Sequence, residues 1–468
     1  MLFNSLHFLI FLPIVFLLYF RAKEREQKII LLVSSLYFYS ALKLAFLPLL
    51  LSSLFFTYYT SLKIEKADKL HQRRFWLIIC LVSNLSLLLF FKYTDFLRSI
   101  YYDSLYLFGL RPSNSFQALN LVLPLGISFY TFQAIAYAVD VYRRQIPSEK
   151  NFFKFTLFLV FFPQLVAGPI IRASVLIPQF LGRKEFKREN FITGMEIMAL
   201  GFFKKTIVAD PLSGLIDPVY ADPASFNGIS NILAMALFSI QIYCDFSGYS
   251  DIAIGTGKIL GFYIPENFRR PFLAASNTEI WTRWHISLSS WLKDYIYISL
   301  GGNRVSQFRN YYNLMITMVI GGIWHGAAWT FFFWGLLHAV FLAIERFFIG
   351  KGWSVFFQRI PRPIGILYTF SLFSLGALFF RSKDMGSVMI SLQKAFTFAD
   401  GKMVSLPYAV LIPVALLIIY EIFEESSFTI PKTFFYETLK NVTVLTVLIL
   451  CFLIYSVTVS PQFYYFQF

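Results

Sequence analysis

Long apolar runs occupy most of the sequence from Leu6 to Val459, and they constrain the fold more than any other feature. Each run has about 15 to 20 residues, the length that an α-helix needs to cross a hydrocarbon core of about 30 Å. Only 14% of the 468 residues are charged, whereas a water-soluble domain needs a larger charged share for its surface. The sequence therefore predicts an all-α polytopic membrane protein, with residues 1–468 in a single transmembrane domain.

Charge supports this interpretation and gives the spans a direction. The net charge of +15 suits cytoplasmic loops that contact anionic membrane lipids, so we predict no nucleic-acid partner. The first apolar run precedes its basic cluster, Arg21 to Lys28, which predicts an uncleaved first span with its N-terminus outside. Three cysteines, Cys80, Cys244 and Cys451, are too far apart to indicate a disulfide framework or a zinc site.

Placing each basic cluster in the cytoplasm orders the remaining spans. About 11 to 12 spans are predicted in total. After the first come Ile29–Ala41, Leu44–Thr60, Phe75–Phe91, Leu121–Val141, Phe191–Ala209, Ile229–Leu260, Tyr311–Trp324, Ala327–Phe348, Ile364–Phe380, Tyr408–Tyr420 and Val442–Val459.

Three segments depart from this simple pattern. Phe152–Phe180 contains several prolines and starts and ends at basic residues, which predicts a buried re-entrant segment or, alternatively, a broken helix on the membrane surface. Asp210 to Gly228 has three Asp and no Lys or Arg, as expected of an external loop. Asp245-Phe246-Ser247-Gly248 predicts a break in the span Ile229–Leu260, where Asp245 and Asp251 either line a binding path or cap the helix halves.

Of the five histidines, His325 is the strongest candidate for chemistry, in the stretch GGIWHGA at the apex of a predicted hairpin. An ionisable side chain at membrane depth is a functional-site hypothesis, and a buried neutral imidazole can accept a proton near pH 7. The alternative is a structural histidine bonded to a neighbouring carbonyl. His7 near the outer end of the first span and His71 in a basic loop suggest no special role.

Two further histidines are weaker candidates. If WTRWHISLSSW is helical, Trp281 and His285 share one face, although an amphipathic cytoplasmic helix explains the same pattern. His338 lies seven residues before Glu345, which predicts a structural hydrogen-bonded pair on one helix. We find no spacing for a metal site, and no GxSxG, HExxH or Walker-type motif that would indicate a soluble hydrolase, metalloprotease or ATPase.

Several long stretches resemble the membrane-bound O-acyltransferase family, in particular its alginate O-acetylation branch, and more loosely the D-alanine transfer proteins of teichoic acid modification. The opening MLFNSLHFLIFLPIVFLLYF and the closing FYYFQF are similar to that branch. The motifs that carry the likeness are LPLGISFYTFQAIAYAVDVYRR (123–144), FFPQLVAGPIIR (161–172), QIYCDFSGYSDIAIGTGKILGFYIPENFRRPF (241–272), WTRWHISLSSWLKDYIYISLGGNR (281–304) and GGIWHGAAWTFFFWGLLHA (321–339).

The resemblance implies a family core at roughly 120–350 and a ring of transmembrane helices around a thin central region, with a funnel on each face. It assigns His325 to the family's invariant catalytic histidine and His285 to the second histidine of the branch. It also suggests a substrate path or donor-binding role for six further residues: Trp324, Trp281, Arg283, Trp284, Asp245 and Asp251.

The implied activity is O-acyl transfer, with an acetyl group moving from a cytoplasmic thioester to an extracytoplasmic polysaccharide. Acetyl-CoA or another acetyl thioester would be the donor, with no bound cofactor or metal. The implied partner is a periplasmic SGNH-like acetyltransferase, and the implied location is the inner membrane of the cell. Two alternatives stay open from the residues: a transporter or flippase without acyl chemistry, and an acyltransferase acting on a lipid or a secreted protein.

Overall fold

A computed structural model describes residues 1–41, 43–110, 116–166, 168–353, 359–426 and 434–457. These residues are mostly helical, and among them no β-strand forms beyond one isolated bridge between Phe226 and Lys402. The helical content agrees with the all-α prediction. The closing FYYFQF lies outside the described residues.

The chain divides into two compact units. The first consists mainly of Phe11–Phe186. Its helices are α1 (Leu6–Arg21, which it shares with the second unit), α2 (Glu24–Ser40), α3 (Leu47–Lys66), α4 (Leu70–Leu88), α5 (Thr94–Leu107), α6 (Ile127–Tyr142), α7 (Phe152–Val160), α8 (Phe162–Leu165) and α9 (Ala173–Leu176).

The second unit consists mainly of Lys187–His325 and the residues that follow Ala328, and it also includes Phe3–Ile10. Its further helices are α10 (Arg188–Phe202), α11 (Asp210–Ala221), α12 (Gly228–Ile259), α13 (Asn277–Arg283), α14 (Ile286–Leu292), α15 (Gln307–His325), α16 (Trp329–Phe348), α17 (Arg362–Arg381), α18 (Met385–Thr397), α19 (Tyr408–Glu425) and α20 (Phe434–Val457).

Five helical segments of the described chain are long and apolar enough to cross a membrane by length and composition: Leu44–Lys66, Leu70–Tyr106, Gly228–Ile259, Trp329–Gly352 and Arg362–Arg381. Large apolar side chains stay exposed along such a segment, for example Ile78, Val82 and Leu89. Water would disfavour this surface, whereas lipid tails cover it at no cost. The protein is therefore a multi-pass membrane protein, while the total of about 11 to 12 spans stays a prediction.

The predicted re-entrant segment is indeed broken and buried. It consists of α7, α8, α9 and a 3₁₀ turn at Ile177–Phe180. Most of α7 and all of α8 are buried, and the backbone N–H of Phe162 donates to the Ser35 hydroxyl at 3.1 Å. Burial by protein is what irregular backbone needs at membrane depth, and the position of the segment relative to the membrane stays a prediction.

The segment Asp210 to Gly228 is not the predicted loop, since most of it is the helix α11, while its external location stays a prediction. Leu212, Ile216 and Val219 are buried on one face of this helix, at the spacing of an amphipathic helix. The apolar periodicity therefore outweighs the acidic composition that suggested a loop.

The predicted break in the span Ile229–Leu260 is also wrong. Gly228–Ile259 forms one uninterrupted helix of 32 residues, α12. Two glycines of α12 allow its backbone to pack closely against the backbone of α10, at two positions along the helix. A Cβ on Gly255 would lie 2.5 Å from the carbonyl oxygen of Gly194, and a Cβ on Gly248 would lie 2.6 Å from that of Gly201. Small residues at these positions let the two backbones touch, as in many membrane helix pairs.

We expect Gly255→Ala to lower the free energy of unfolding by about 1–3 kcal/mol, because the added methyl group meets backbone that has to move away. Thermal unfolding of the detergent-purified protein measures the change. Gly214→Ala on α11 is a matched control, since a Cβ there meets nothing within 4 Å. Equal melting temperatures for the two variants would contradict the proposed close contact of α10 and α12.

Candidate active site

The backbone turns sharply at His285. Helix α13 ends at Arg283 and α14 begins at Ile286, and His285 between them has a φ of 43°, in the left-handed region. The stretch WTRWHISLSSW is therefore not one continuous helix, so the condition under which Trp281 and His285 would share a helix face is not met. A residue other than glycine with positive φ is uncommon and persists only where its surroundings hold it, often at functional sites.

Asn267 holds this turn in place, although no motif in the sequence indicates this role. Its backbone oxygen accepts a hydrogen bond from the N–H of Ile286 at 2.8 Å, and its side-chain oxygen accepts from the hydroxyl of Ser287 at 2.8 Å. The side-chain amide of Asn267 donates to Ser250 on α12 at 3.2 Å. This fully buried asparagine therefore connects the His285 turn to α12.

The two candidate histidines lie side by side. The ring centroids of His285 and His325 are 6.3 Å apart, and the side chains are buried at 1% and 4% exposure. Trp324 contacts both rings, with centroids 6.2 Å from His285 and 5.0 Å from His325. The geometry therefore brings together three residues that the sequence analysis selected from two separate motifs.

Aromatic side chains surround the pair. Phe246 of α12 meets His285 edge to face at 4.6 Å, and Phe268 stacks on it at 6.2 Å. Trp334 and Phe380 each lie 5.2 Å from His325. Neither ring nitrogen of His285 has a hydrogen-bond partner among the described residues, and burial lowers its pKa to about 3. His285 is therefore a neutral imidazole at pH 7, able to accept a hydrogen bond or donate one to a reactant.

Close packing of α15 on α16 positions His325. A Cβ on Gly322 would lie 2.4 Å from the backbone oxygen of Phe331, and one on Gly335 would lie 2.5 Å from that of Met318. The two helices approach closely enough for Trp334 to cover the His325 ring. The glycines of the hairpin are thus needed for the contact between the helices that carry the site.

His338 does not pair with Glu345, contrary to the prediction. The Glu345 carboxylate instead accepts hydrogen bonds from the backbone N–H of Asn277 and Thr278, at 2.7 and 3.2 Å, at the start of α13. The first N–H groups of a helix have no partner within the helix. They attract a negatively charged carboxylate more strongly than they attract a neutral imidazole. His338 packs between Trp281 and Trp334, at centroid distances of 5.2 and 4.9 Å.

The other predicted site residues divide into two groups. Trp281 lies beside His338 and Trp334, and Trp284 packs on Phe373 at 4.7 Å, so both belong to the aromatic surroundings. Arg283 forms ion pairs of 2.8 Å with both Glu279 and Glu425. Their roles toward a donor stay predictions.

Asp245 and Asp251 form ion pairs with two lysines that the sequence analysis did not select. Lys205 contacts Asp245 at 2.5 Å and Asp210 at 2.7 Å, and Lys204 contacts Asp251 at 2.9 Å. The aspartates therefore do not cap helix halves. Lys204 and Lys205 lie in a π-helical segment, Phe203–Ala209, and an adjacent lysine pair within an apolar run was the signal that could have identified them.

Glu425 gives the site region a testable pH dependence. Hydrogen bonds from Arg283, followed by those from Arg270, lower the pKa of Glu425 to about 2 from its ordinary value of 4.5. Because the folded state depresses this pKa, its stabilisation is present above about pH 4.5 and is lost as the pH falls toward about 2.

We therefore expect Glu425→Gln to lower the melting temperature at pH 6, with a difference from wild type that shrinks as the pH falls below about 4.5. Thermal unfolding across this pH range measures it. The neighbouring Glu424→Gln is the control, because Glu424 reaches Arg270 only at 3.9 Å and is half exposed. A constant difference at every pH would contradict the assignment.

Within the part of the chain that the structure describes, no group of three or more His, Cys, Asp or Glu is arranged to hold a metal ion. The candidate site is therefore the buried histidine pair with its aromatic surroundings, in a multi-pass membrane protein.

Comparison with known proteins assigns the family. The model of MBOAT, the membrane-bound O-acyltransferase family, matches residues 142–381. The probable alginate O-acetylase AlgI of Pseudomonas aeruginosa is 39% identical over 405 residues, which cover 86% of this chain and 76% of that protein. The peptidoglycan O-acetyltransferase of Helicobacter pylori is 38% identical over 421 residues, 83% of this chain and 78% of that protein.

A more distant relative is the teichoic acid D-alanyltransferase of Bacillus subtilis, 28% identical over 56% of this chain and 70% of that protein. The chain belongs to the membrane-bound O-acyltransferase family. It is an O-acyltransferase, so the alternative of a transporter without acyl chemistry no longer applies.

Proposed function

We propose that this protein takes an acetyl group from a cytoplasmic thioester, acetyl-CoA or another acetyl thioester, for O-acetylation of an extracytoplasmic polysaccharide. The observation that carries the proposal is the contact of two buried histidines, His285 and His325, at 6.3 Å between ring centroids. The names of the relatives support an acetyl group and a polysaccharide acceptor, since alginate and peptidoglycan are both glycans.

His325 would act as the general base. An acceptor hydroxyl donates its proton to the imidazole while its oxygen attacks the thioester carbonyl, so that a carbon–oxygen bond forms and the carbon–sulfur bond breaks. The imidazolium then returns the proton to the leaving thiolate, which regenerates the neutral base. Proton transfer of this kind typically contributes about 10²–10⁴-fold to the rate.

Two roles are open for His285. It can orient the donor by a hydrogen bond, or it can hold the acetyl group transiently on a ring nitrogen. A transient acyl-histidine would leave labelled acetyl on the wild-type protein and none on His285→Gln. Rapid quenching after addition of labelled acetyl thioester separates the two roles, because a purely orienting histidine leaves no label on either protein.

The same proposal includes the partner and the location. The protein would lie in the inner membrane with its N-terminus outside, and it would pass the acetyl group to a periplasmic SGNH-like acetyltransferase that modifies the polysaccharide. Trp281, Trp284, Trp324, Arg283, Asp245 and Asp251 are proposed to line or support the donor path, three of them through aromatic contacts around the histidines.

Isotope tracing tests the function directly. Inverted membrane vesicles that contain the protein, the partner and the glycan receive labelled acetyl-CoA on their exposed cytoplasmic face. We expect label on the enclosed glycan and on the partner, and neither in vesicles without this protein. If the label appears instead in the lipid extract or on another protein, the acceptor is that lipid or protein and not a polysaccharide. Equal labelling without this protein would overturn the proposal.

A further inference from the structure

An apolar crevice of about 680 Å³ lies in the second unit, between α12, α17 and α19. Ile366, Leu367 and Phe370 line it from α17, and Leu417 and Ile418 line it from α19. The volume falls in the range of about 300–1,000 Å³ typical of ligand sites. Neither histidine of the pair lines the crevice, and Glu425 is the only lining residue already discussed.

The crevice ends at charged residues. Arg362, the first residue of α17, lines it together with Glu425. Because α17 is apolar enough to span a membrane, its first residue lies close to the membrane–water boundary, where lipid headgroups are found. The crevice therefore runs from the headgroup level along the hydrocarbon region.

Arg362 retains capacity for an anion. Among the described residues its hydrogen bonds and ion pairs all come from one terminal nitrogen, Nη2, with distances of 3.3 Å to Glu279 and 3.5 Å to Glu425. Its side chain is 53% exposed, whereas the tightly paired Arg283 is only 15% exposed. A guanidinium has five N–H donors in a geometry that suits phosphate, so Nε and Nη1 can bind a lipid headgroup.

The inner wall accepts an apolar chain. Glu421, a buried acid that lines it, accepts a hydrogen bond from the Tyr243 hydroxyl at one carboxylate oxygen. Tyr243 and Phe272 also line the crevice, and both pack on Trp284, at centroid distances of 6.2 and 6.0 Å. Trp284 directly precedes His285, so an occupant of the crevice supports the side chain next to the histidine turn.

We propose that this crevice binds one acyl chain of a membrane phospholipid, with the lipid phosphate at Arg362. The occupant has to combine an apolar chain of membrane length with an anionic group at one end, and a phospholipid supplies both from the surrounding bilayer. This inference concerns lipid binding and does not depend on the acetyl-transfer function.

Native mass spectrometry of the intact protein tests the site. The protein is reconstituted in nanodiscs that contain phosphatidylglycerol and diacylglycerol, and then released in mild detergent. We expect one retained phosphatidylglycerol per wild-type protein. The double variant Leu367→Trp/Ile418→Trp fills the crevice and should reduce retention at least fivefold, while Arg362→Gln should shift retention from phosphatidylglycerol toward diacylglycerol.

The control is Leu416→Trp/Ile419→Trp on α19, at two exposed positions that do not line the crevice. It should retain lipid like the wild type. Equal retention by the filled variant and this control would overturn the proposal, and so would a crevice occupied only by detergent. Equal preference for diacylglycerol and phosphatidylglycerol in the wild type would overturn the role of Arg362.

Discussion

Replacement of His325 by glutamine should reduce the rate of acetyl transfer by about 10²–10⁴-fold, because glutamine cannot accept the proton of the acceptor hydroxyl. Glutamine keeps a polar side chain that can still form hydrogen bonds, so the aromatic contacts with Trp334 and Phe380 should be disturbed less than by alanine. The measurement is the initial rate of transfer from labelled acetyl-CoA in membrane vesicles, at matched protein levels. His325→Ala should lose at least as much activity.

The control for this prediction is another histidine of the same region. His338 is also buried and also contacts Trp334, yet the proposed chemistry assigns it no proton. We expect His338→Gln to retain activity within about tenfold of the wild type. Activity within a few fold of wild type in His325→Gln, with normal folding, would remove the general-base role.

The second large effect concerns stability. Lys205 and Asp245 are 2% and 3% exposed, and Lys205 also contacts Asp210. Lys205→Met leaves two carboxylates without their buried cation, and breaking a buried pair in this way costs about 3–5 kcal/mol. Unfolding of the purified protein by heat or denaturing detergent should show this loss.

Two comparisons make that result specific. The double variant Lys205→Met/Asp245→Asn also removes one of the two carboxylates that contact Lys205, so it should be more stable than Lys205→Met alone. Lys440→Met removes a cation whose pair with Glu196 is about 30% exposed, and it should change stability by at most about 1 kcal/mol. A Lys205→Met variant as stable as Lys440→Met would contradict the structural importance of the buried ion pairs.

The local features of this chain could be predicted from its sequence. The hairpin of α15 and α16 follows from two apolar runs separated by glycines around His325, and the multi-pass class follows from run length. The buried, broken segment at Phe152–Phe180 follows from its prolines, because they prevent continuous helices. Each of these depends on neighbours in the sequence.

Features that depend on distant partners could not be predicted in this way. Nothing near His285 indicates the sharp turn, since Asn267 imposes it through hydrogen bonds. Asp245 beside Gly248 indicated a helix break, but Lys205 satisfies the acid and the glycine contacts α10, so α12 continues. The family resemblance assigned roles to His285 and His325, but no spacing in the sequence predicts that their rings lie 6.3 Å apart.

The glycine contacts between α10 and α12 also make one side of the candidate site rigid. Backbone touching backbone at two levels leaves no soft side-chain layer between these helices, so sliding or hinging there would require breaking dense packing. Phe246, carried by α12, is thereby a fixed boundary for His285. Asn267 bonds both to Ser287 of the histidine turn and to Ser250 of α12, so His285 itself is tied to this rigid helix pair.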